Sequence, residues 1–145
     1  MTHPLVPYLA LAVSLLALLL AGLTYYRTEP RLHAEVERVT TGHRLYVVLY
    51  VRNSGRGGAT VKTWGWETPS LQRLAVPNRG DRHGLAMSDS LPARVDPSGL
   101  ARFMIDLDYL RDRAREAGVA PEDLRLWYAG PNGRRHYAAG RPRVN

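Results

Sequence analysis

The sequence predicts a mainly β protein, with an N-terminal transmembrane helix followed by an Ig-like β-sandwich of about seven strands and one short inserted α-helix. Three observations carry that expectation. From Leu5 to Leu23 ("LVPYLALAVSLLALLLAGL") there is no charged residue. Beyond residue 31, short runs of alternating apolar and polar residues recur at intervals of roughly 8–12 residues, punctuated by Gly, Pro, Asn and Asp. One stretch, "DLDYLRDRAREAG", breaks that alternation with helical spacing.

The apolar run sets the location. As a helix it reaches about 28 Å, close to the ~30 Å hydrocarbon thickness of a bilayer. Pro4 and Pro7 fall in its first turn, where a missing N–H is harmless. Tyr8 at one end and Tyr25 and Tyr26 at the other stand where aromatic belts meet headgroups, with Arg27 and Arg31 just beyond. A cleaved signal peptide would want a positive n-region, a shorter apolar core and a small-x-small site, and "LLLAGLTYY" offers none of these convincingly. The expected organisation is an anchor over 1–26, a linker over 27–31, the domain over 32–140 and a tail over 141–145. No Lys or Arg precedes the span, whereas Arg27, Arg31, Arg38 and Arg44 follow it. The positive-inside rule therefore expects the N-terminus outside and the domain in the cytoplasm, with an extracytoplasmic domain as the runner-up.

Each later element has its own signal. Leu32, Ala34 and Val36 alternate with His33, Glu35 and Glu37, a strand with one wet face. "TTGHR" turns the chain. Leu45 to Val51 is apolar on both faces, which expects a central strand. "NSGRGG" reads as a hairpin-type loop, and Ala59 to Glu67 as the returning strand, with Trp64 and Trp66 on one face. Those tryptophans and the tyrosines of Leu45 to Val51 are expected in the core, the alternative being an exposed aromatic patch. Thr68 to Ser90 is the longest irregular stretch, with one short apolar piece over Leu71 to Val76. A short strand lies in "LPARVDPSG", and Ala101, Phe103, Ile105 and Leu107 mark a further one. Asp108 can cap the helix that follows, Leu107, Leu110, Ala114 and Ala117 form its stripe, and Gly118 ends it. Leu124 to Ala129 is a strand, Asn132-Gly133 a hairpin signal, and His136 to Ala138 the closing strand.

The stretches "VVLYVRNSGRGGATV", "LPARVDPSGLARFMIDLDYLRDRAREAG" and "LRLWYAGPNGRRHY" behind one N-terminal span resemble small bacterial and phage-encoded single-pass membrane proteins with an Ig-like C-terminal domain. That resemblance implies no catalytic residues.

Composition excludes several chemistries. With no Cys there is neither disulfide stapling nor thiol catalysis. No serine stands in a G-x-S-x-G context, and no Walker, G-x-G-x-x-G or EF-hand pattern occurs. Asp81, His83, Ser88 and Asp89 fall close together, and polar loop composition accounts for them. His33 with Glu35 and Glu37 is the nearest approach to a metal-ligand row, and a solvated strand face accounts for it. Asp106, Asp108 and Asp112 sit where helix capping wants carboxylates. No cofactor is expected.

Net charge is +7, and of the 20 basic residues only Lys62 is a lysine, a bias that makes arginine content weak support for nucleic-acid binding. "GPNGRRHY" with Arg125, Trp127 and Tyr128 is the best aromatic-basic stretch, extended by Arg141 and Arg143. Acidic lipid headgroups are the better-matched partner. The expected function is a membrane-anchored, non-enzymatic binding or scaffolding module that uses end loops, with an unidentified protein partner and homo-oligomerisation also expected as open partnerships. The candidate surface comprises Arg56, Asn78, Arg79, His83, Asn132, Arg134 and Arg135. Two alternatives are a phage-type envelope accessory protein (lysis or superinfection exclusion) and a membrane-tethered hydrolase using the 78–90 loop.

Overall fold

The computed structural model describes residues 6–74 and 88–140. It is mainly β, with one long apolar helix at the N-terminus. Helix α1 spans Val6–Thr28, 23 residues with none buried, and is long and apolar enough to cross a membrane. At 1.5 Å per residue it is about 34 Å long. It runs further than the apolar stretch because nothing breaks it before Pro30, which disfavours helical backbone at Glu29. The connection to the first strand is therefore 29–31, shorter than the expected 27–31.

Nine strands occur among the described residues, against about seven expected, in three sheets of order β1-β2-β7, β3-β6 and β5-β4-β8-β9. They are β1 Leu32–Thr41, β2 Arg44–Asn53, β3 Ala59–Val61, β4 Thr63–Glu67, β5 Arg73–Leu74, β6 Ala93–Val95, β7 Leu100–Asp106, β8 Arg125–Ala129 and β9 Arg135–Tyr137. The strands β1 and β2 form a ten-residue antiparallel hairpin in which Thr41 faces Arg44. Of the two turn residues only Gly42 has positive φ (63°), the pattern of a type II′ turn that matches strand twist.

The Leu45 to Glu67 stretch is not a hairpin, which corrects the sequence expectation. The neighbours of β2 are β1 and β7, while β3 pairs with β6 and β4 pairs with β8. The returning segment also splits at Lys62, whose N–H donates to the Ala129 carbonyl at 2.9 Å. Nine residues before the split lies the reason for the turn away: Asn53 binds other partners, described below, and leads the chain across to a different sheet.

One core joins the three sheets. Val47, Leu49, Val51, Phe103 and Ile105 enter it from the first, Val61 and Val95 from the second, Trp64, Trp66 and Leu126 from the third. Trp66 is fully buried, with Trp64 edge-on at 5.7 Å and Phe103 stacked on Trp64 at 5.4 Å. Both tryptophans are thus core residues. The tyrosines take the other face of β2, where Tyr46 and Val48 pack with Met104 as a smaller buried cluster.

Helix α2 spans Leu107–Glu116 and follows β7 without a loop. Its N-cap is Asp106 rather than Asp108, with the Asp106 carboxylate accepting from the N–H groups of Asp108 (2.8 Å) and Tyr109 (3.4 Å). The strand ends one residue earlier than its alternation suggests because Leu107 is already the first core residue of the helix stripe with Leu110 and Ala114. At the other end Gly118 donates to Arg115 O and Val119 to Ala114 O, each at 3.0 Å, a Schellman closure that turns Val119 back onto the core. A 3-10 turn, Pro121–Asp123, leads into β8.

Sheet edges are blunted by side chains and short segments. Along the free edge of β7, the Ser88 hydroxyl accepts from Met104 N–H at 2.7 Å, and the Asp89 carboxylate accepts from Arg102 N–H at 2.7 Å. Along β1, Ala139 donates to Ala34 O at 2.8 Å and forms a single parallel bridge with Glu35.

Candidate functional site

The site is built where the apolar helix meets the domain. Asn53 is completely buried at the end of β2 and uses its whole carboxamide. Its Oδ1 accepts from Arg31 N–H (3.1 Å) and Gly55 N–H (3.0 Å), while Nδ2 donates to the carbonyls of Gly57 (2.7 Å) and Val95 (3.1 Å). Backbone bonds reinforce it, Ser54 N–H donating to Arg31 O at 2.8 Å and Asn53 N–H to Gly99 O at 3.0 Å. The glycines of "NSGRGG" serve close approach. A Cβ on Gly55 would overlap the Glu29 carbonyl oxygen, and one on Gly57 the Thr28 carbonyl oxygen at the end of α1. The end of α1 and its three-residue connection are thus seated in the domain.

Strand register places several loops at this same end. Leu32 faces Asn53, Arg52 faces Leu100, and Ala129 faces Arg135, so the turns at 54–58, 96–99 and 130–134 all cluster near the helix exit. Arg27, Arg31, Arg56, Arg94 and Arg134 are exposed there, against the carboxylates of Glu29 and Asp96. Asp96 is taken by Arg94 at 3.0 Å. At the opposite end α2 balances its charges internally, with Asp108–Arg111, Asp112–Arg115 and Glu116–Arg113 pairs at i,i+3. The helix-exit end is the basic one.

Two adjoining clefts open at that end. One, of about 480 Å³, lies between the helix connection and the β8–β9 turn, with Pro30, Arg31, Thr60, Asn132 and His136 on its wall. The second, of about 560 Å³, lies between β1 and β9 and includes His33, Glu35, Arg135 and Tyr137. Leu32, Tyr128 and His136 belong to both. The His136 ring stacks on Tyr128 at 5.3 Å, and the Tyr128 hydroxyl donates to Leu32 O at 3.3 Å. Burial pushes the Tyr128 phenol above its ordinary range.

A polar knot lies on the outward face of the β4-β8-β9 sheet. The Glu67 carboxylate is 1% exposed and accepts from Arg135 Nη1 and, at 2.6 Å, from the Tyr137 hydroxyl. Arg135 also lies over the Trp127 ring at 5.5 Å. The bond to Glu67 holds the Tyr137 proton and raises its pKa, with burial and the carboxylate charge acting the same way. This knot is satisfied internally and leaves Arg135 engaged.

The sequence candidates therefore divide. Arg56, Asn132 and Arg134 gather at the end where α1 enters the domain, while Arg135 turns onto the sheet face toward Glu67. The Asn132 Oδ1 accepts from Arg134 N–H at 3.0 Å, shaping the turn. Tyr8, Tyr25, Tyr26 and Arg27 are exposed on α1, and the Arg31 guanidinium lies 5.3 Å above the Tyr26 ring. Asn78, Arg79 and His83, with Asp81, Arg141 and Arg143, lie outside the described residues. Ser88 and Asp89 are held on the β7 edge, and Asp106, Asp108 and Asp112 each serve a cap or ion pair of α2. His33, Glu35 and Glu37 line the outer face of β1 beside Tyr50 and Arg52. Among the described residues no group of three His, Cys, Asp or Glu is placed to hold a metal ion. Sequence reasoning missed Asn53, Thr60 and Glu67. The signal for Asn53 was its position just before a double-glycine loop, which reads equally as a turn former.

No protein-family model matches the chain, and no curated protein matches it. Among solved structures it is similar to the X-ray structure of Northeast Structural Genomics Consortium target SoR45, with 12% identity over 82% of this chain and 92% of that chain and a TM-score of 0.35, too distant a likeness to carry an argument.

Proposed function

We propose that this chain is a single-pass membrane protein whose domain, an Ig-like β-sandwich, is a non-enzymatic binding module held against the bilayer with its basic end toward anionic headgroups. The observation that carries this reading is the seating of α1 in the Asn53–Gly57 loop. A three-residue connection spans at most about 10 Å. The screening length at physiological salt is about 8 Å, comparable to that span, so the arginines at the helix exit still act on a headgroup layer, though partly screened. Each basic residue at an anionic surface contributes about 1 kcal/mol. The shared core of the three- and four-stranded sheets supports the sandwich reading.

The domain faces the cytoplasm in this reading, on the charge asymmetry across the span. Arg38 and Arg44 are residues of β1 and β2, and Arg44 lies 3.7 Å from Asp106, so the flank itself contributes Arg27 and Arg31. Protease protection of a C-terminal tag in sealed, right-side-out cells tests both halves of the proposal, run beside alkaline carbonate extraction of the membranes. The tag is expected to stay intact until the membrane is broken, and the protein to remain in the pellet. Release by carbonate overturns the anchor, and digestion from outside overturns the orientation.

A further inference from the structure

We infer that the cleft between the helix connection and the β8–β9 turn is a binding site for the phosphodiester headgroup of an anionic membrane lipid, and this inference rests on the membrane-anchoring reading above. Its position comes first. The cleft is walled by Pro30 and Arg31, the residues through which α1 enters the domain, so it opens within a few residues of the end of the apolar helix. A lipid of the layer that α1 crosses presents its phosphate at that depth.

Chemistry agrees with position. Arg31, Thr60, Asn132 and His136, all with side-chain donors, are among the residues lining the cleft, and among the described residues lining it there is no carboxylate. The Asn132 Oδ1 is committed to Arg134 N–H, which leaves its Nδ2 as the end free to donate. The His136 ring is held in place by its stack on Tyr128. Arg94 approaches at Gly58, but its charge is paired with Asp96, so the positive potential of the wall rests on Arg31. Pro30, Leu32 and Ala59 give the rest of the cleft an apolar character suited to a glycerol backbone. The neighbouring cleft is poorer for an anion because Glu35 lines it.

The test uses the full chain in nanodiscs of phosphatidylcholine containing phosphatidylglycerol, followed by native mass spectrometry to count lipids retained per chain. The expected result is one retained phosphatidylglycerol and no retained phosphatidylcholine. The double variant Asn132→Asp, His136→Phe keeps the turn acceptor and the ring stack while removing two donors and adding a negative charge. It is expected to weaken retention at least about tenfold. Arg111→Ala, on α2 at the other end, is expected to retain lipid as the parent does. Equal retention by the double variant overturns the site. Equal loss of lipid to free glycerol phosphate at matched concentration overturns the lipid as its source. A chain that enters the discs yet retains no phosphatidylglycerol overturns the site and leaves the anchor standing, whereas a chain that stays out of the discs overturns the anchoring reading itself.

Discussion

The side-chain oxygen of Asn53 accepts a hydrogen bond from the backbone N–H of Arg31 at 3.1 Å, joining the last residue before β1 to the last residue of β2. Because Asn53 is fully buried and its amide makes three further bonds, the end of the helix connection is part of the domain's interior bonding.

Asn53→Ala strips partners from two N–H groups and two carbonyls at once. A buried group left unpaired costs about 1–3 kcal/mol, and water entering from the loop side recovers part of that. The expected loss is about 2–4 kcal/mol in denaturant unfolding of the full chain in detergent. A loss within 0.5 kcal/mol, the range of ordinary surface changes, would show that the clamp is dispensable.

Gly57→Ala places a methyl group on the Thr28 carbonyl oxygen. The helix end must then leave its seat, while the core residues of β2 and β7 keep their packing. Trypsin is the probe, because Arg31 O accepts from Ser54 N–H and the bond after Arg31 is held in the native state. Cleavage after Arg31 is expected to accelerate at least about tenfold, the effect of losing about 1.4 kcal/mol of local closure. Unchanged cleavage would mean that the helix exit is already free.

Tyr137 and Tyr128 carry the alkaline pH dependence of the domain. Both phenols are raised, Tyr137 mainly by the hydrogen bond it donates to Glu67 and Tyr128 by burial. A group whose folded pKa lies above its unfolded value stabilises the fold below the unfolded pKa, about 10 for tyrosine, and loses that contribution as pH rises through the folded value. Stability is therefore expected to be flat through neutral pH and to fall above pH about 10. Absorbance at phenolate wavelengths should show a late-titrating component that shrinks in Tyr137→Phe and moves earlier in Glu67→Gln. A Glu67→Gln curve that superposes on the parent would remove the carboxylate as the cause.

All three tryptophans are inaccessible, at 3% for Trp64, 0% for Trp66 and 8% for Trp127. Native fluorescence is expected to be blue-shifted and little quenched by iodide, and Trp66→Ala to cost about 3–5 kcal/mol. Tyr25→Ala, on the exposed end of α1, is expected to leave domain stability within 0.5 kcal/mol. Strong quenching in the native state would return Trp64 and Trp66 to the surface.

The sequence by itself determined the elements whose cause is local. Nineteen uncharged residues in a row have no stable state in water as an isolated helix face, so their helix was legible from composition alone. The apolar run of Leu45 to Val51, the alternation of Ala101 to Asp106, and the Leu107, Leu110, Ala114 stripe are likewise properties of a few neighbours. The basic residues of the candidate surface were visible, and so was the turn at Asn132. Tertiary structure decided which partner each segment took. The stretch around the "NSGRGG" loop reads locally as a hairpin, yet β2 lies beside β7 and β3 beside β6, because a buried Asn53 gains four bonds only when Arg31, Gly55, Gly57 and Val95 converge on it. The cleft has the same origin, since the Tyr128 hydroxyl bonds a carbonyl 96 residues away at Leu32. Closing loops of that length costs entropy that only the finished core offsets, and periodicity along the chain holds no record of it.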